Sequence, residues 1–255
     1  MSQLRLVKQI VYAFILILLI LLIGFGLFSL FKPTEPIQTS TASPVKPLIV
    51  ENSYLISQGI LDYDVLVTVR NPNVDYGASE FEYELKFSDI QGNPIKTVKE
   101  KSYILPGQRK YLIFSAFRPQ SEVSNVQVEI NQVVWSKLKS FVEPSALFFV
   151  KQQNLRKEGS LFILDAVISN ISNFDFDTVN IVVRLEGSGV DPVAVGVRRE
   201  DTFISKTDRS ARLVWTKDFG QPITGITIET YTNVFKNDNF LRDKGGEIEK
   251  FQQFF

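Results

Sequence analysis

The chain has 255 residues, 28 basic and 28 acidic side chains, no His, no Cys and 44% hydrophobic residues. Without Cys there are no disulfides, thiolate zinc sites, iron–sulfur clusters or thiol nucleophiles; without His the usual general base and the commonest metal ligand are missing as well. The balanced charge argues against a nucleic-acid partner.

Residues 10–31 are a run of 22 without a single charge. At about 1.5 Å per residue a helix of that length reaches roughly 33 Å, enough for a hydrocarbon layer of about 30 Å. The run exceeds the about 7–15 apolar residues of a cleaved signal peptide, no Cys exists to carry a lipoprotein lipid, and no polar stripe makes it an amphipathic core helix. It reads as a membrane span. Arg5, Lys8 and the amino group lie before it, whereas Lys32 and the more distant Lys46 follow. The bias predicts that residues 1–9 are a short cytoplasmic tail and that everything after the span is exported. All 28 acidic residues lie in that exported part, against 26 basic ones. This is no polybasic lipid binder.

Residues 32–47 are rich in Pro, Ser and Thr, the composition of a solvated linker. Beyond them Val, Ile, Phe, Tyr and Thr recur in short runs separated by Gly, Pro, Asn and Asp, which is strand chemistry. Phe81, Tyr83, Leu85 and Phe87 alternate with Glu82, Glu84 and Lys86; Val65, Val67 and Val69 keep the same period, as do Val126, Val128 and Ile130. One wet and one buried face implies antiparallel pairing. The second half repeats the plan at an offset near a hundred residues: Asn71 matches Asn170, Ile104 and Leu105 match Phe203 and Ile204, and NVQVE (125–129) matches GITIE (225–229). The expected fold is all-β: two tandem immunoglobulin-like antiparallel β-sandwiches, residues 48–140 and 144–235, after one N-terminal transmembrane helix, with a tail at 236–255.

The most specific local signal is the strand ending in Asn71-Pro72-Asn73, then Gly77, the long strand through Phe87, Asp89 and Gly92, and later Leu105-Pro106-Gly107-Gln108. Pro72 ends a ladder, the asparagines shape a turn with their side chains, and Pro106-Gly107 suits the centre of a type II turn. This order resembles the immunoglobulin-like sandwiches of the FxLYD and LEA-type-2 (WHy) kind over residues 50–135, and faintly in the second copy, where Ser205-Lys206-Thr207 replaces Pro-Gly-Gln. The resemblance implies an extracytoplasmic or stress-related binding and spacer module without catalytic residues to carry over.

The remaining chemistry is thin. Asp62 with Asp64, and Asp175 with Asp177, stand two apart and would face one side of a strand, as a calcium site or an acid–base pair requires, but neither has further oxygen ligands in sequence. They read as turn residues. No G-x-S-x-G elbow and no phosphate-binding glycine loop occurs, and Ser136 with Lys139 lacks the partner motifs of a serine hydrolase. Arg198, Arg199, Arg209 and Arg212 interleave with acids and read as mixed solvated charge. Trp135 and Trp215 with Tyr54, Tyr76 and Tyr111 would make a sugar platform only if exposed together; packing is the commoner fate. Asn170-Ile171-Ser172 fits a glycosylation sequon. In the tail, Ile248, Phe251 and Phe255 fall at helical spacing, with Phe254 beside them, as in an amphipathic turn that docks on a partner or folds back, while the polar middle with Gly245-Gly246 equally suits disorder.

The sequence thus predicts a non-enzymatic, membrane-anchored binding or assembly module without cofactor or metal. Its membrane contact is residues 10–31 and its partner a protein or an envelope polymer. The interaction residues expected are Asn71, Asn73 and Tyr76 in one loop and Phe251, Phe254 and Phe255 in the tail. A glycan- or envelope-polymer-binding adhesin is the nearest alternative, and a carboxylate-dependent membrane-anchored enzyme a more distant one.

Overall fold

Period-two alternation turns most of the chain into strand. The computed structural model describes residues 45–138, 147–244 and 250–254; the expected span and most of the linker lie outside these. The first six strands are β1 (Ile49–Gly59), β2 (Asp62–Arg70), β3 (Tyr76–Ser88), β4 (Pro94–Ile104), β5 (Arg109–Phe117) and β6 (Asn125–Lys137). They form the sheets β1-β2-β5 and β6-β3-β4, every neighbour antiparallel. β7 (Phe148–Glu158), β8 (Leu161–Asn170), β9 (Phe176–Glu186), β10 (Pro192–Phe203), β11 (Asp208–Trp215) and β12 (Gly225–Tyr231) repeat the plan as β7-β8-β11 and β10-β9-β12. Each half packs two antiparallel sheets against one another as a β-sandwich.

β3 carries the expected alternation: Phe81, Tyr83, Leu85 and Phe87 are buried in the first core, where Phe87 stacks on Phe117 with ring centroids 4.1 Å apart. Glu80 and Glu84 on the opposite face pair with Lys101 and Lys99 of β4 at 2.7 Å each. Such wet ion pairs add little stability, but the lysines keep the β4 edge from recruiting another strand.

The loops between β2 and β3 and between β8 and β9 are tied down in the same way. Asn71 Nδ2 donates to the carbonyls of Tyr76 (2.7 Å) and Leu105 (2.9 Å), while Asn71 Oδ1 accepts from the Asn73 amide. Asn170 Nδ2 donates to Phe174 O (2.8 Å) and Phe203 O (3.2 Å), and its Oδ1 accepts from the Ser172 amide. Each Asn satisfies carbonyls that burial would otherwise leave without water. The type II turn is present too: Gly107 has φ +66° and the Gln108 amide reaches Leu105 O at 3.2 Å. In the second copy Lys206 occupies that left-handed position with φ +57°; its side chain gives it no freedom comparable to glycine there.

The two sandwiches join through an apolar contact. β2 is buried on both faces, because Val65, Val67 and Val69 enter the first core while Leu66 points outward and is 0% exposed. Leu66 and Ile56 pack against Val195 of β10, with Tyr54, Tyr111 and Ile113 around them. A second contact gathers Leu105 and Leu138 of the first repeat with Phe148, Phe176, Phe203 and Phe240 of the second. Polar ties flank them: the Tyr111 amide donates to Tyr231 Oη at 3.1 Å, and Lys217 Nζ to Ser57 O. Residues Val45–Phe255 form one compact unit in consequence.

The tail differs from the expected amphipathic turn. After a 3₁₀ turn at Val234–Lys236 comes a short helix, α1 (Asp238–Lys244), whose Phe240 meets Phe174 edge-on at 5.1 Å. Phe235 lies so close to Gly77 that a Cβ there would stand 2.5 Å from its ring. Then β13 (Lys250–Phe254) pairs antiparallel with β6, Lys250 opposite Ser136 and Phe254 opposite Gln132. The spacing of the phenylalanines was the wrong guide. An open edge offers unmatched amides and carbonyls, and a strand satisfies them whatever its side-chain period.

Two outcomes test this packing. Leu66→Ala should cost about 2–5 kcal/mol of unfolding free energy, because the cavity lies between two sandwiches that cannot close over it. Asn71→Ala and Asn170→Ala should each cost about 1–3 kcal/mol by stranding buried carbonyls. Denaturant titration of the intact protein measures all three.

Candidate functional site

A cleft of about 450 Å³ opens where the two sandwiches meet. Its first-repeat wall carries Asp62, Asp64 and Gln58; its second-repeat wall carries Arg198, Arg212 and Trp215. Asp64 follows Tyr63 in a strand whose odd positions face the core, so its carboxylate must point outward, into the junction. There its Oδ1 accepts from the Ala116 amide at 3.0 Å and its Oδ2 from Gln58 Nε2 at 2.9 Å. The first of these bonds holds Ala116 in a left-handed conformation, φ +57°. Burial raises the Asp64 pKa above the ordinary carboxylate range, and the bonds from Ala116 and Gln58 only partly oppose it.

The other side chains of the cleft are already engaged. Asp62 pairs with Arg118 at 3.0 Å, Arg198 with Glu200 at 2.8 Å and Arg212 with Asp165 at 2.6 Å. The two aspartates singled out in sequence therefore share a cleft, yet what faces them is guanidinium and amide. No group of three or more acidic side chains able to hold a metal ion occurs among the described residues. Asp175 is a turn residue: its Oδ1 accepts from the Ser205 amide at 2.7 Å.

Lys110 is a second unusual group. It is a buried cation whose ammonium donates to Tyr103 O at 2.8 Å and Ser102 Oγ at 3.2 Å, over the Tyr103 ring and 5.5 Å from that of Tyr231. Burial pulls its pKa well below the ordinary lysine value. Sequence gave no sign of it, because Lys110 sits in a strand where a lysine normally faces water.

The aromatic residues do not assemble into a platform. Trp135 is 0% exposed in the first core, and Trp215 is buried with its indole N–H donated to Val195 O at 2.9 Å. Tyr54 and Tyr111 pack at the junction between the repeats, the latter under Arg184 at 5.3 Å. Arg199 joins Asp201 at 2.8 Å, and Arg209 donates to Thr202 O at 3.0 Å. Ser136 Oγ is buried and has no hydrogen-bond partner among the described residues; Lys139 lies outside them. The Asn170 side chain of the sequon is engaged at both ends in the loop just described, which leaves no free amide for a glycan in the folded state.

The expected contact loop is turned inward at its asparagines. Asn71 is 1% exposed, and Asn73 Nδ2 donates to Lys46 O at 2.7 Å while its Oδ1 accepts from the Lys46 amide. Tyr76 packs against the first core with the Lys137 ammonium 5.7 Å from its ring. What this loop shows to solvent is Val74 and Asp75. In the tail, Phe251 and Phe254 belong to β13 by their backbone, and Phe255 lies outside the described residues.

Asp64→Asn tests the electrostatics of the cleft. A carboxylate whose folded pKa is raised binds more protons in the native state than in the unfolded chain, so wild-type stability should rise as pH falls through the folded pKa toward the unfolded value. The Asn side chain still accepts from Ala116, so this rise should vanish without loss of stability at neutral pH. Denaturation midpoints from neutral down to about pH 4 show the difference.

No family model matches the chain, and no curated protein matches it. Among solved structures, similarity extends to the crystal structure of a red sea bream transglutaminase (11% identity, 71% of this chain and 29% of that one, TM-score 0.21). It extends also to the calcium-binding domain CBD12 of CALX1.1 (12% identity, 79% of this chain and 98% of that one, TM-score 0.22). The chain thus spans under a third of the transglutaminase.

Proposed function

We propose that this chain is a membrane-anchored, extracytoplasmic, non-catalytic binding or assembly module of the cell envelope. The uncharged run at 10–31 and the basic bias before it support the anchor and its direction. Among the described residues no helix is long and apolar enough to cross a membrane, so the anchor rests on that N-terminal run.

The observation that carries the non-catalytic reading is the cleft between the repeats. Acid–base work needs two carboxylates aimed at a common reacting atom, with their pKa values pushed apart. Asp62 and Asp64 instead hold Arg118, Gln58 and the Ala116 amide. The resemblance to FxLYD and WHy-like modules is consistent with this role, since its asparagine motif serves here to fix a loop. Two sandwiches stacked sheet to sheet form a stiff body rather than a pair of beads on a string. A stiff body suits a part that must hold a contact at a set place.

Protease treatment of intact cells, after opening of any outer layer, should degrade residues beyond 45 while a tag placed before residue 5 stays protected. Carbonate extraction should leave the full-length chain in the membrane fraction. Release by salt alone, or cleavage of the tag from outside, would overturn the proposal.

A further inference from the structure

The two repeats meet through unlike faces. The first offers the outer face of β1-β2-β5, where Tyr54, Ile56, Leu66, Tyr111 and Ile113 surround the contact; the second receives it on β10-β9-β12, at Val195. One face of each repeat is left over: β13-β6-β3-β4 on the first and β7-β8-β11 on the second. A contact between unlike faces does not close on itself. Made between identical chains, it would add unit after unit into a filament.

Strand register identifies the equivalent positions on the leftover faces. In the first repeat Tyr54, Leu66 and Ile113 stand side by side across three strands; the matching row in the second is Asn154, Asp165 and Arg212. By the same pairing Ile56 corresponds to Arg156 and Tyr111 to Ser210. Every apolar or aromatic residue that the first repeat brings to the contact is polar or charged in the second copy. Asp165 holds Arg212 at 2.6 Å and also Arg156. Ile163 and Val167 flank this row in place of Asp64 and Thr68, but the Asp165 ion pairs stand between them.

The other leftover face shows the same exchange. In the second repeat Val182 lies between Glu229 and Val197, as Glu84 lies between Glu129 and Lys99 in the first; Val195 then corresponds to Thr97. Val182 and Val197 line the junction next to Tyr111 and Ile113. Their counterparts Glu84 and Lys99 pair with each other at 2.7 Å, and Lys86 pairs with Glu129 beside them. Such pairs add little while they face water, but an apolar surface laid over them would remove hydration that their mutual attraction does not replace.

We propose that these two faces are stops: the duplicated chain keeps its apolar contact at the inner junction alone, and its ion-paired outer faces cannot take up a sandwich from a second copy. Terminal units of stacked repeats need polar outer faces for the same reason. The inference sets the number of stacked units and does not depend on the membrane anchor.

The test follows the mass of the full-length protein in mild detergent by sedimentation. Asn154→Tyr, Asp165→Leu and Arg212→Ile give the second repeat the apolar row of the first; Glu84→Val, Thr97→Val and Lys99→Val give the first repeat the receiving face of the second. Carried together, these changes should produce folded chains whose mass grows past the dimer as concentration rises, while either set alone stops at or below a dimer. A folded combined variant of unchanged mass, or open-ended growth of the wild type, would overturn the proposal. Should the combined variant fail to fold, the reverse exchange decides. Leu66→Asp with Ile113→Arg, the pair that the second repeat carries at these positions, should free the sandwiches from one another, so that the chain unfolds in two transitions where the wild type shows one. A single transition at the wild-type midpoint would show that an ion-paired row does not prevent the contact, and the stops would fall.

Discussion

The contact of Leu66 and Ile56 with Val195 governs the shape of the molecule. A sandwich of about ninety residues normally leaves the outer face of each sheet to water. Here the outer face of β1-β2-β5 is apolar at its centre and is withdrawn from water against β10-β9-β12. Burial of one such side chain is worth about 1.5–3 kcal/mol, and several act together at this junction. Two repeats that would otherwise move independently on a linker become a single body. Every feature of interest lies on that junction or is positioned by it: the cleft with Asp64, the buried Lys110 and the phenylalanine cluster under α1.

Within each repeat the asparagine after β2 or β8 does a different job. It joins the loop to the turn before β5 or β11, so that this end of the sandwich is defined by hydrogen bonds as well as by packing. The duplication is close at this point: Asn71 bonds Tyr76 and Leu105, and Asn170 bonds Phe174 and Phe203, at nearly the same offset. It diverges where the chain needs something else. Gly107 becomes Lys206, and the thirteen residues of β6 become seven in β12, followed by the 3₁₀ turn and α1. That shortening frees the tail to return to the first repeat as β13.

A ligand-binding role for the cleft would need groups left unsatisfied and aimed inward. Its charged side chains instead close on one another or on backbone, which makes the cleft a seam between repeats.

The sequence by itself determined the strands, their inward faces, the duplication and the type II turn at Pro106-Gly107, because period-two alternation and turn chemistry act over a few neighbouring residues. Phe81 to Phe87 and Val65 to Val69 were legible for that reason. Tertiary structure alone decided that Leu66 is a core residue, that Asn71 and Asn73 face inward, that Lys110 is buried and that the tail pairs as a strand. Each of these depends on which surface meets which across many residues of chain, and local periodicity carries no record of that.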